Sequence, residues 1–147
     1  MTDVREDILA RLLEVVAGIP NIRWAQRNNL DIPDDQFPAV IVLDGDEESN
    51  GISDIGGSRP GNRPYVVQMT PYLVFIEQAN AVGTEISAFR REGVKRVLND
   101  APLIALVGTN GAIRYISSQT DFGWGRSLQG ALIAQFTFKY SLKLEEL

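Results

Sequence analysis

A chain of 147 residues, 44% hydrophobic and 22% charged, has the size and composition of one soluble globular domain, long enough to bury roughly two thirds of its unfolded surface. Fourteen Lys plus Arg against nineteen Asp plus Glu leave a net charge of −5, which argues against a general polyanion binder because no surplus of cations displaces counterions from phosphates; a local basic patch stays open. With no Cys and no His, disulfides, Cys/His zinc sites, thiol nucleophiles and the imidazole general base are excluded together.

Asp3, Arg5, Glu6, Asp7, Arg11 and Glu14 break any apolar stretch that a signal peptide needs, so the mature chain is expected to start at or near Met1. No apolar run approaches the roughly 20 residues of a membrane span. Over residues 3 to 17, Val4, Ile8, Leu12, Val15 and Val16 form one stripe with Leu9 and Leu13 beside it, the period of an amphipathic helix. Asp3 is the expected cap, with Glu6 returning a hydrogen bond to it, and Gly18 and Pro20 end the helix.

Ile22, Trp24 and Gln26 alternate as a short strand, and Arg27 to Gln36 reads as polar loop. Phe37 to Leu43 is β-branched and apolar throughout, as a strand covered on both faces would be, with Pro38 at its start or on an edge. From Gly45 to Pro64 the chain carries five glycines, two prolines and almost no large apolar side chain; this segment is expected to form the tip of a long hairpin, either disordered or ordered by contact with something else. Tyr65 to Gln78 alternates as one long bent strand, and Pro71 predicts a bulge or an edge within it.

Gly83 to Asn99 predicts a second helix capped by Thr84. Ile86, Phe89, Val94, Val97 and Leu98 face inward; Arg90, Arg91, Lys95 and Arg96 face outward; Gly93 marks a close helix-to-sheet contact. Leu103 to Val107 and Ala112 to Ser118 read as a hairpin around the Thr-Asn-Gly turn at 109 to 111. The last strand is the clearest element: Leu132, Ala134, Phe136, Phe138, Tyr140 and Leu142 on one face, Gln135, Thr137, Lys139 and Ser141 on the other. The order predicts one α+β domain over 1–147: a mostly antiparallel mixed sheet, two helices packed on one face, and a protruding hairpin arm at about 45–64.

Chemistry sought in the side chains is mostly missing. Asp44, Asp46 and Glu48 open like a calcium loop, but Ser49 and Ile55 stand where such a loop needs glycine and a bidentate glutamate. The glycine run from Gly56 to Gly61 lacks a phosphate-loop lysine, and Asp121-Phe-Gly123 has no kinase partners around it. Asp31, Asp34 and Asp35 read as solvated turn residues rather than paired acids. No catalytic, cofactor-binding or metal-ligating residue is therefore assigned. Arg90, Arg91 and Lys95 with Arg96 are the one basic concentration, either a solvated helix face or a DNA contact. Trp124, between two glycines, is either a core plug or an exposed anchor for a partner.

In order and spacing the chain resembles the phage tail terminator family, the lambda-like proteins that cap a long tail tube. The resemblance runs over nearly the whole chain: the N-terminal amphipathic helix, Phe37-Pro-Ala-Val-Ile-Val, a long hairpin with a polar tip, Tyr72-Leu-Val-Phe-Ile, a second helix running to Leu98-Asn-Asp-Ala-Pro-Leu103, and the terminal strand from Gly130 to Tyr140. The segment at 45–64 is longer and richer in glycine than the family pattern. The resemblance implies a non-enzymatic virion protein without cofactor or membrane contact, made in the host cytoplasm. It would close as a homo-hexameric ring on the last ring of tail tube protein, stop polymerisation, offer its other face to the head connector or a head completion protein, and pass DNA through its bore. On that basis Asp46, Glu47 and Glu48 on the outgoing limb of the arm and Arg59 and Arg63 on the return are expected to meet a neighbouring subunit, with the second-helix cations as partners for the acids. The alternatives from the residues are another neck or tube component, an adaptor whose arm folds on a host protein, and a small metal-dependent hydrolase using the aspartates.

Overall fold

The computed structural model describes residues 3–52, 65–78, 82–122 and 129–142. Along the chain the elements are α1 (Val4–Ala17), β1 (Trp24–Arg27), β2 (Ala39–Ile52), β3 (Tyr65–Gln78), α2 (Val82–Asn99), α3 (Ala101–Val107), β4 (Ala112–Phe122) and β5 (Gln129–Leu142). The strands form one sheet in the order β1-β2-β3-β5-β4, with β1 parallel to β2 and every other pair antiparallel. This is the α+β fold and mostly antiparallel mixed sheet expected, with three helices among the described residues where two were expected.

Strand alternation divides the buried side chains between two unequal clusters. On the helix side, Ile8, Leu9, Leu12, Val15 and Val16 of α1, Ile86 and Val97 of α2 and Leu103 and Val107 of α3 pack on Val40, Val42, Leu73, Phe75, Leu132, Ala134, Phe136, Phe138 and Tyr140. On the other face the buried cluster is Ile41, Val74 and Ile76, with buried Ala39 opposite Ile76, under Trp24, Ile32 and Phe37, because the segment after β1 crosses that end of the sheet. Among the described residues the rest of this face carries no helix. Ala39 to Val42 are fully buried, as a strand covered from both sides must be.

Pro71 marks a bulge, and the bulged residues belong to the strand opposite. Leu43 faces Tyr72 and Asp46 faces Thr70, so Asp44 and Gly45 together oppose Pro71. Gly45 has φ +70, and a Cβ there would lie 1.8 Å from the Thr70 carbonyl oxygen, so only glycine fits. β3 lies in the middle of the sheet, which rules out the edge alternative for Pro71.

Three expectations need correction. The polar arm does not begin at Gly45: pairing continues through Glu47 opposite Met69 to Ile52 opposite Tyr65. The acids are poor strand formers, but β3 is held from its other side by β5, with Val67 opposite Tyr140, and that ladder overrides propensity. Residues 53–64 lie outside the described residues. Leu103 to Val107 are helix, not strand. Asp100 caps α3 by accepting from Leu103 N–H at 3.1 Å, its carbonyl takes the Ile104 N–H at 3.0 Å, and Pro102 sits in the first turn. The Gly108–Gly111 turn then links this helix to β4, an edge strand. Finally, α2 begins at Val82, so Thr84 lies inside its first turn, and Leu98 is 36% exposed because it sits about 100° around the helix from buried Val97.

Gly93 does mark a close approach: a Cβ there would fall 2.9 Å from Cζ of Phe75, in the centre of β3.

Candidate assembly surface

At the bulge, β2 turns its carboxylates toward the start of α1 and the end of β1. Arg27 donates from Nε to Asp44 Oδ1 at 2.7 Å and from a terminal nitrogen to Oδ2 at 2.9 Å, and its other contacts reach Glu6 at 2.6 and 3.0 Å. Arg5 lies 3.8 Å from Asp44 and 4.0 Å from Glu47. Asn28, in the left-handed region at φ 56, accepts the Asp44 N–H through Oδ1. The Arg27 guanidinium is the main cause that holds the carboxyls of Asp44 and Glu6 below their usual range. Glu6 therefore serves Arg27 and not the N-terminal cap, where Asp3 alone accepts from Arg5 N–H at 3.1 Å.

Glu47 faces the helix layer, because it sits opposite Met69, and the Tyr140 hydroxyl donates to its carboxylate. Burial first, and Glu47 second, push the Tyr140 hydroxyl far above its ordinary pKa. Glu47, one of the three acids expected to meet a neighbour, thus has a partner within its own subunit while staying exposed. Asp46 and Glu48, opposite Thr70 and Gln68, stand exposed on the face without helices and have no ion-pair partner among the described residues. The exposed Asp31, Asp34 and Asp35 belong to the segment that crosses the same face, and no group of three metal-ligating side chains forms among the described residues. Lys139 and Arg114 lie farther across, on β5 and β4.

The expected cations occupy the opposite side of the molecule. Arg91 and Lys95 are exposed on α2, Arg90 is half-buried, and none of the three forms an ion pair among the described residues. Arg96 is bound to Glu92 at 2.9 Å, one helical turn away. Arg59, Arg63 and Trp124 lie outside the described residues.

Two open clefts flank this helix layer. The larger, about 730 Å³, lies between the three helices and is lined by Arg11, Glu14, Lys95, Arg96, Asp100 and Pro102. Arg11 closes one wall by a two-pronged contact with Asp100, at 2.8 and 3.0 Å, which lowers the pKa of that carboxyl. The smaller, about 410 Å³, is lined by Ile22, Arg23, Pro38, Glu77, Glu85 and Phe89. Glu77 is the one buried charged side chain among the described residues; burial raises its pKa first, and a hydrogen bond with Glu85 raises it further.

Residue-by-residue reading of the sequence missed the Arg27–Asp44–Glu6 group, whose members are separated by 17 and 21 positions and carry no local spacing signal. It also missed the apolar surface of α3. Ala101, Pro102, Ile104 and Ala105 are all exposed there, Ile104 by 50%, and a run of seven residues without a charge was the available signal. No family model matches this chain, and no curated protein sequence matches it.

Proposed function

We propose that this protein is a structural assembly subunit of the tail-terminator type: it closes with copies of itself into a ring that caps a phage tail tube, ends tube growth and offers its other face to the head connector. One observation carries the reading. Among the described residues the fold is one sheet with helices on one side, so each subunit presents two unlike outer surfaces, a helix layer and a sheet face, as a contact that repeats by rotation requires. The rest, including the six-fold number, the tube and connector partners and the passage of DNA through the bore, is what the resemblance to the terminator family implies. Catalysis plays no part in this function.

The test is the mass of the purified protein over a concentration series up to about 1 mM, the weak end of measurable association, followed by electron microscopy of any particle. Single closed rings that block elongation of tail tube protein are the expected result. Open polymers point to a tube component instead, and a strictly monomeric chain overturns the assembly reading. A deletion that tests the segment between β2 and β3 belongs within 53–62 and spares Glu47 to Ile52, since those residues are part of the central ladder and Glu47 accepts from Tyr140.

A further inference from the structure

Ring closure by rotation asks which patch of one copy fits which patch of the next, and the distribution of exposed charge and apolar surface answers it. On α2, Arg91, Lys95 and Leu98 are spaced by four and three residues, so they lie on one exposed stripe of the helix. That stripe runs directly into α3, whose exposed side consists of Ala101, Pro102, Ile104 and Ala105. The result is an apolar ridge headed by two cations without ion-pair partners among the described residues, on the outer side of the helix layer. Exposed large apolar side chains are common singly; Leu98 and Ile104 together, set among Ala101, Pro102 and Ala105 beside cations without ion-pair partners among the described residues, mark a contact surface.

The complement lies on the far side of the same subunit. The helix-free face of the sheet carries Asp46 and Glu48, exposed and without ion-pair partners among the described residues. Beside them the cross-strand pair Leu43 and Tyr72 is half-buried, with Ile133 and Val66 farther along. One surface is apolar and cationic; the other is apolar and acidic along β2, with the cations Lys139 and Arg114 farther across on β5 and β4; and the two belong to opposite layers of one sandwich. A single subunit cannot bring them together, and a two-fold dimer that joins like patches would set cation against cation. A head-to-tail contact between copies joins them with opposite signs matched.

Resting on the assembly reading above, we propose that the outer helix surface formed by Arg91, Lys95, Leu98 and Ile104 of one copy seats on the helix-free sheet face around Asp46, Glu48 and Tyr72 of the next copy. The apolar ridge supplies affinity, and the charges set register and direction.

The experiment uses the full chain in four forms: wild type, Ile104→Glu, Asp46→Lys with Glu48→Lys, and Arg91→Glu with Lys95→Glu. All substituted positions are exposed, so each variant is expected to keep the wild-type far-ultraviolet spectrum and melting behaviour. Wild type assembles; Ile104→Glu stays monomeric at concentrations at least about tenfold above the wild-type midpoint, the loss a central contact residue gives. Each charge-reversal variant alone fails to assemble, and an equimolar mixture of the two recovers particles of wild-type size, because every contact in the mixture then joins opposite signs. Wild-type particles that form equally well from Ile104→Glu and from each reversed variant overturn the proposed contact and leave the ring reading standing. They would also leave the apolar helix surface to a different protein. A wild-type chain that remains monomeric overturns both.

Discussion

Gly93 sets the distance between α2 and the sheet, and Gly93→Ala tests that contact with opposing terms of known size. In a helix interior Ala is favoured over Gly by about 0.8–1 kcal/mol, so propensity alone predicts a more stable protein. Against this, the new Cβ would stand 2.9 Å from Phe75 Cζ, well inside the roughly 3.5–4.0 Å at which carbons rest. Phe75 is only 1% exposed and central in the core, so its ring has nowhere to swing, and overpacking of this kind costs about 1–3 kcal/mol. The expected net is a loss of about 0–2 kcal/mol. In a Phe75→Leu background the ring tip is gone, and the same Gly93→Ala change is expected to stabilise by up to about 1 kcal/mol. Urea unfolding of the four proteins gives the coupling directly, expected at about 1–3 kcal/mol. A Gly93→Ala protein that gains the full helix-propensity increment in both backgrounds refutes the close contact.

Gly45→Ala joins a φ of +70 to a Cβ set 1.8 Å from a backbone oxygen, and the left-handed strain plus displacement of β3 is expected to cost about 2–5 kcal/mol in chemical denaturation; a loss below about 1 kcal/mol would mean the bulge relaxes freely. Asp100→Ala removes the α3 cap and strands the Arg11 guanidinium, for an expected loss of about 1–3 kcal/mol, whereas Asp100→Asn keeps a capping oxygen and is expected to fall between; equal losses for both would deny the cap any share. The carboxyls of Asp44, Glu6 and Asp100 titrate lower when folded than the ordinary 3.8 to 4.5, so their contribution is full above that range and is lost as pH falls through their folded values. Glu77 runs the other way: its raised pKa gives stability that is full below about 4.5 and is lost as pH rises through the folded value. Glu77→Gln is therefore expected to remove the fall in melting temperature that begins as pH rises above about 4.5 and to leave the profile below it unchanged, and an unaltered profile counts against the burial of this group.

What could be read without coordinates was whatever a periodic side-chain pattern dictates. The stripe from Val4 to Val16 and the alternation from Leu132 to Tyr140 each bury one face, and both appear as elements with those residues in the core. Pro71 and Gly93 were legible for a different reason, since a missing donor and a missing side chain each permit few environments. Leu103 to Val107 failed because a short apolar run has no period of its own; the deciding marks were Asp100 and Pro102 just ahead of it, which belong to a helix start. The acids of β2 failed because pairing partners 20 residues or more away, not local preference, decided their conformation. Of the proposed surface, the cations on α2 were legible from helical spacing. The assignment of Glu47 to its own subunit was not, since Tyr140 lies 93 positions along the chain.

The extra residue at the Asp44–Gly45 bulge decides the side on which each residue from Asp46 to Ser49 stands, up to the second register shift before Ile52. Side chains of a strand alternate between two sides, so one inserted position exchanges the two sets beyond it. Had β2 kept the register in which Leu43 meets Tyr72, Asp46 and Glu48 would both point beneath the helices and Glu47 would point to solvent. With the insertion, a single carboxylate turns to the helix side, where it accepts the Tyr140 hydroxyl, and two turn to the opposite side. A one-residue deletion here therefore acts like a reading-frame error in side chains, exchanging the sides of Asp46, Glu47 and Glu48 while keeping all three residues.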